Sequence, residues 1–311
     1  MDLADIGDDA RRQYIDARTV FQELERTLKD AGEVRGGMVW KTVNGTDYLV
    51  RTSPAGAQKS LGPRSPALEA IHAKFIARKT AASERVHDLK AALVRQQRMN
   101  RALFVGRTPE IVVEILNRLA QAGIAEHFLV IGTHALYAYE QAAGVRIQDA
   151  DAMATRDVDL LWDTRRRMQF LTQMAFQASS MLGVLQKADK TFRIRDDQRY
   201  TAVNSKGFEV DILRREADEG DPHPLKITEA EDDFWVVQAR RAGHLQSARR
   251  FSTPVVSAAG TMARMTTVAP LVFVAFKRWM AEQADREPEK RSRDRRQADI
   301  VEQIAREYLP P

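Results

Sequence analysis

Asp157-Val158-Asp159-Leu160-Leu161-Trp162 is the stretch on which the reading of this chain turns. It is short and rich in apolar residues, as a strand inside a sheet is, and strand side chains alternate faces. Asp157 and Asp159 therefore point the same way. Upstream, the apolar run Phe128-Leu129-Val130-Ile131 ends at Gly132-Thr133, the pattern of a strand closing on a phosphate-sized turn. Downstream, Phe208 to Leu213 forms a second apolar run with Asp211 inside it. A carboxylate there is costly to bury unless it binds something. Three carboxylates on neighbouring strands beside a phosphate-holding turn make a place for divalent metal and a nucleoside triphosphate.

This constellation resembles the nucleotidyltransferase fold of the DNA polymerase beta superfamily. That pattern has an apolar residue, Gly and then Gly or Ser, an Asp-x-Asp/Glu pair, and a third acidic residue on a later strand. The matching residues are Gly132-Thr133, Asp157 with Asp159, and Asp211. The wider segments Gly132-Thr133-His134-Ala135-Leu136-Tyr137 and Thr155-Arg156-Asp157-Val158-Asp159-Leu160 are similar to a bacterial branch related to AbiEii-type and minimal nucleotidyltransferases. The sequence departs from the pattern at Thr133 and in a long gap before Asp157. That gap is expected to hold a polar, mobile insertion at 144–154.

The resemblance implies an α+β fold, a mixed sheet flanked by helices. It also implies Mg²⁺-dependent transfer of a nucleoside monophosphate from an NTP such as ATP to a hydroxyl, releasing pyrophosphate. Such a reaction needs in-line geometry and charge neutralisation more than covalent help. Asp157 and Asp159 are expected to hold two Mg²⁺ ions. Asp211 would complete the site and take the proton of the incoming hydroxyl. Gly132 and Thr133 would meet the triphosphate, where a glycine and a helix N-terminus suit phosphate.

Lys277 is an isolated cation in the apolar helix carrying Leu271, Val272, Phe273, Val274 and Phe276. Relatives place a lysine against the triphosphate from such a helix. The alternative is that Lys277 marks where the helix turns to solvent, and the two readings stand level. Glu209 shares the face of Asp211 and is a possible auxiliary ligand, although its place at the strand's start suggests partial solvation. Arg156 should face the other way, Arg193 and Arg195 have weak claims on phosphate, and His134 reads as a packed helix-start residue.

The 311 residues allow two or three domains. The expected division is 1–103 (helix, β-hairpin and long helix), 104–250 (catalytic core) and 251–311 (helical C-terminal region). In the first, Val39-Trp40 and Tyr48-Leu49-Val50 flank Asn44-Gly45, a strong hairpin signal. Ser65-Pro66 opens a helix to about Leu103, in which Leu68, Phe75, Ala82 and Leu89 recur every seventh residue. That recurrence fits packing along another helix, within the chain or in a dimer. Residues 59–65 read as a loop, 164–182 as one helix, and Val255 to Ala258 as a late edge strand.

Zero cysteines exclude disulfides and thiolate-bound metals. No apolar run long enough for a membrane span and no signal-peptide pattern occur, so a cytoplasmic protein is expected. The +5 formal charge permits a nucleic-acid partner without requiring one. The resemblance implies tRNA ends, protein hydroxyls or small molecules such as aminoglycosides as acceptors; the basic long helix and the Lys290–Arg296 cluster favour RNA, such as tRNA, in a toxin or defence setting. The competing reading is a catalytically silent module of the same fold that binds a protein or nucleic acid.

Overall fold

The computed structural model describes residues 3–177, 179–223 and 225–309, and it divides into two compact units. One comprises residues 13–99; the other comprises residues 1–12 and 100–311.

The chain opens with β1 (Leu3–Asp5) and α1 (Asp8–Glu33), followed by β2 (Gly37–Val43), β3 (Thr46–Thr52), β4 (Gln58–Pro63) and α2 (Pro66–Ala102). In the 13–99 unit α1 and α2 run antiparallel: Gln13 meets Gln96, Glu23 meets Arg85 and Glu33 meets Arg78. Leu89 is buried, and Leu68, Phe75 and Ala82 are half-buried, so the seven-residue recurrence marks the helix's packed side. Asn44 and Gly45 take positive φ of 50° and 78°, as a two-residue hairpin turn demands. Trp40 lies against His72 and under the Arg64 guanidinium, so the sheet packs on α2 through this face. Lys41 and Tyr48, one residue out of phase with Trp40 and Leu49, occupy the other face. Residues 59–63, expected as loop, form the third strand: β4 pairs antiparallel with β3, with an irregularity at Leu49/Val50. The alternation that would announce a half-buried strand is missing because β4 is almost wholly exposed.

The second unit follows with α3 (Glu110–Gln121), β5 (Phe128–Ile131), α4 (Ala135–Ala143), β6 (Val145–Ile147), α5 (Ala150–Met153), β7 (Asp157–Trp162), α6 (Arg167–Gln177), α7 (Met181–Gln186), β8 (Arg193–Ile194), β9 (Thr201–Val203) and β10 (Glu209–Arg215). Then come β11 (Leu225–Lys226), β12 (Trp235–Ala239), α8 (Ala242–Ser247), β13 (Arg250–Val256), β14 (Met262–Val268), α9 (Pro270–Glu282) and α10 (Pro288–Glu307). The central sheet runs β11-β12-β10-β7-β5, with β9 on the first half of β10 and β8 on β9. β10 is parallel to β7 and β12, while β5 is antiparallel to β7, so the sheet is mixed and helix-flanked. The fold class is the α+β one that the sequence indicates.

Strand alternation builds two cores from one sheet. Val158, Leu160, Trp162, Val210 and Ile212 face a layer with α3, α7 and the β13–β14 hairpin. Leu161 and Leu213 face the opposite layer, where Leu129, Ile131, α4, α9 and α10 pack. Burying each such side chain contributes roughly 1.5–3 kcal/mol. Asp157, Asp159 and Asp211 lie on this second face, at the N-terminal half of β7 and β10, where the apolar layer stops.

Three local expectations change. The stretch 144–154 is no loose insertion: β6 pairs with β1, α5 follows, and Val145, Ile147 and Ala152 are buried. Val145, Ile147 and Ala152 face inward among polar neighbours, which the segment's polar average conceals. The helix expected over 164–182 is broken into α6 and α7, with Ser180 capping α7 by accepting from Gly183 N at 3.0 Å. The edge strand at 255–258 is part of a full hairpin, because Arg250–Val256 pairs with Met262–Val268.

Candidate active site

β7 and β10 are in register, with Asp159 opposite Asp211 and Asp157 opposite Glu209. One oxygen from each of Asp157, Asp159 and Asp211 lies within 4.8 Å of the others. Neighbouring threonines orient the two outer carboxylates. Thr155 donates its hydroxyl to Asp157 Oδ1, and Thr201 donates to Asp211 Oδ1 at 2.5 Å. Each of those aspartates keeps a second oxygen for a ligand, as outer-shell hydrogen bonds arrange in metal sites. Thr155 lies in the segment quoted for the resemblance but carries no role there, and Thr201 has no sequence signal. Glu209 stands apart, held by Arg195 Nη1 at 2.7 Å, and Arg195 is also paired with Asp197 at 2.7 Å. Arg193 and Arg156 are exposed.

Burial first, then the charges of Asp157 and Asp211, push Asp159 up to about 7. Burial also raises Asp211 above the carboxylate range, against the pull of the Thr201 hydroxyl. Like charges this close destabilise one another, and only a cation or a proton relieves them. The donors are all hard oxygens, which suit Mg²⁺ or Mn²⁺ rather than a thiolate- or imidazole-seeking metal.

A pH test follows. The folded-state pKa of Asp159 lies above its unfolded value, so this group's stabilisation of the metal-free protein is full below pH 4 and lost as pH rises through 7. Metal competes with that proton, so Mg²⁺ stabilisation should grow over the same window. Melting curves at pH 5.5 and 8, with and without Mg²⁺, compared with Asp159→Asn, check both trends. A wild-type minus variant difference independent of pH would remove the argument.

Gly132 closes β5 with φ +68°, and a Cβ there would lie 2.2 Å from Asp159 Oδ2. The glycine is thus required by its own turn and by the carboxylate beside it. Thr133 is buried, and its Oγ1 accepts from Gln297 Nε2 at 3.1 Å, which leaves the hydroxyl hydrogen to donate. Gln297, fully buried on α10, also donates to Ala152 O at 2.7 Å and so ties α10 to the turn before β7. Its sequence context, Arg295-Arg296-Gln297, reads as a solvated helix face and hides this. Gln297→Met should cost about 1–3 kcal/mol by stranding a buried carbonyl, measurable by urea unfolding; an unchanged midpoint would contradict the assigned bonds. His134 is packed, its ring against Tyr137 and Phe208, and burial lowers it to about 4.

A cavity of about 500 Å³ opens beside Asp159 and Gly132, walled by α9, α10 and their connection. Phe276, Trp279 and Met280 give it an apolar side; of its four cations, Arg240 and Lys290 pair with Asp285 and Glu287, which also line it, while Lys277 and Arg286 share Asp294. Lys277 is buried, not turning to solvent. Its Nζ donates to Asp294 Oδ1 at 2.8 Å, and burial holds its pKa below the ordinary lysine range against that pairing. Of the six residues singled out by sequence, Gly132, Asp159 and Lys277 line this cavity, Asp157 and Asp211 extend it along the sheet, and Thr133 sits behind it.

Such a site, three carboxylates on parallel strands beside a glycine turn and a cavity with Lys277 and Arg286 in its wall, suits phosphoryl transfer. A nucleotidyltransferase family model matches residues 110–311, and the chain belongs to that family. No curated protein and no solved structure matches the chain. Among the described residues, no helix is long and apolar enough to cross a membrane.

Proposed function

We propose that this protein transfers a nucleoside monophosphate from an NTP to a hydroxyl acceptor, with Asp157, Asp159 and Asp211 holding two Mg²⁺ ions. The observation that carries this is the acidic trio itself, complete and converging within 4.8 Å, with Asp159 lining a cavity that also holds Lys277 and Arg286. When bound, the cations supply charge neutralisation at the transferring phosphoryl group and lower the pKa of the attacking hydroxyl. The chain's own residues do the rest. Thr155 and Thr201 fix the outer carboxylates. Asp211 accepts the hydroxyl proton. Thr133 and Lys277 donate to the triphosphate, and Gly132 keeps the turn open to it.

The acceptor we favour is RNA, such as a tRNA end, in a toxin or defence role akin to that of the AbiEii-type branch. Charge distribution supports it. Residues 13–99, outside the family match, hold 15 Lys and Arg against 9 Asp and Glu, of 48 and 43 in the whole chain. The excess positive charge thus belongs to that unit. RNA held by such charge should dissociate steeply with salt; tRNA affinity flat between 50 and 200 mM salt would reject this acceptor.

The transfer reading is tested by thermal stabilisation. NTP with Mg²⁺ should raise the melting temperature by preferential binding to the folded state, and Asp157→Ala/Asp159→Ala should not respond. Equal stabilisation of both proteins, or of neither, would count against the site.

A further inference from the structure

Asp294 is fully buried on α10 and divides its two oxygens between two cations. Oδ1 accepts from Lys277 Nζ at 2.8 Å, and Oδ2 accepts from Arg286 Nε at 2.7 Å. Both cations line the cavity that reaches Gly132 and Asp159. A buried carboxylate with two cationic partners leaves net positive charge, and that charge faces the cavity. The division of donors matters as much as the charge. Arg286 uses Nε on Asp294, while its Nη1 and Nη2 groups make no hydrogen bond among the described residues. Those two nitrogens form the planar pair that matches phosphate oxygens bidentately. Lys277 likewise spends one ammonium hydrogen on Asp294 and keeps the others.

Position agrees with this. Arg286 sits in the connection between α9 and α10, just before Pro288 opens the second helix. It is only partly exposed, its side chain retaining 24% of its accessible surface. Gln297, one turn beyond Asp294 on the same face of α10, holds Thr133. One helix face thus aims three groups at one place: Lys277 and Arg286 through Asp294, and Thr133 through Gln297.

We infer that Arg286 is a second triphosphate-binding cation of this site, and that Asp294 is the positioning residue that orients both it and Lys277. This rests on the NTP reading above. Arg286 binds the substrate's β- or γ-phosphate oxygens, so its contribution is made to the triphosphate and not to the nucleoside. It should appear in binding before it appears in chemistry.

The test compares full-length wild type, Arg286→Gln, Arg286→Lys, Asp294→Asn and the double variant, with Mg²⁺ present. Affinities for ATP and AMP are measured by calorimetry, and melting temperatures are recorded alongside. Wild type should bind ATP, or the NTP reading itself fails and this inference with it. Given that binding, Arg286→Gln should weaken ATP about ten- to a hundredfold, the weight of a charged hydrogen-bonded contact, and leave AMP unchanged. Arg286→Lys should recover part of the loss. Asp294→Asn should weaken ATP as well, and the double variant should lose less than the sum, because both act on one contact. A purely structural Arg286 would lower the melting temperature and weaken ATP and AMP equally. That result, or ATP affinity unchanged in Arg286→Gln, would overturn the assignment.

Discussion

Asp159→Asn is expected to abolish transfer and, at pH 8 without metal, to make the protein more stable. The two effects have one cause. Asp159 is pushed up to about 7 by burial and by Asp157 and Asp211, so at pH 8 the folded state holds mutually repelling carboxylates in poor solvation. An amide of the same shape removes one charge. Each unit of pKa shift corresponds to about 1.4 kcal/mol, and allowing for the variant's own desolvated amide the gain should be about 1–3 kcal/mol. In a unit of this size that is roughly 3–10 °C in melting temperature. The same charge is what would hold the cations, so transfer should fall by at least about a thousandfold, some 4 kcal/mol of barrier. A variant both inactive and less stable would mean that Asp159 is a structural residue. Function at a cost to apo stability is the signature of a ligand site.

Gly132→Ala should do the reverse kind of damage, modest to the fold and severe to the site. Alanine at φ +68° costs about 1–2 kcal/mol in the left-handed region. The Cβ, 2.2 Å from Asp159 Oδ2, cannot coexist with the present carboxylate position. The fold can accommodate it by rotating Asp159, a short side chain, away from its partners. That preserves most of the stability and removes a ligand. We expect the melting temperature to fall by a few degrees, transfer by at least a hundredfold, and Mg²⁺-dependent NTP stabilisation to disappear. Near-wild-type activity would show that the turn's glycine serves backbone conformation alone.

The acidic strands were legible because their signal is local. A carboxylate in an apolar run is anomalous at any position, and Asp157, Asp159 and Asp211 each stand out that way. The mixed sheet is implied by the family resemblance that those residues carry. What escaped is made by residues that look ordinary in their own segment. Asp294 and Gln297 lie among Arg and Lys in a helix that reads as solvated, yet both are fully buried. Thr155 stands inside the quoted Asp-x-Asp segment without a role read for it, and Thr201 holds Asp211 from a neighbouring strand with no motif to announce it. β4 reads as loop because exposed strands do not alternate. Segment 144–154 was read from average polarity, although only Val145, Ile147 and Ala152 decide its fold. Long-range partnership, not residue type, carried the missing information.

The most direct measurement is label transfer. Full-length protein with Mg²⁺ is given each α-labelled NTP in turn, together with whole-cell RNA and soluble lysate, beside the Asp157→Ala/Asp159→Ala variant. Label in an acceptor, RNA foremost, is expected from wild type alone, with release of pyrophosphate. No label under any NTP, or label that persists in the variant, would contradict it; the first outcome would leave a silent binding module of the same fold.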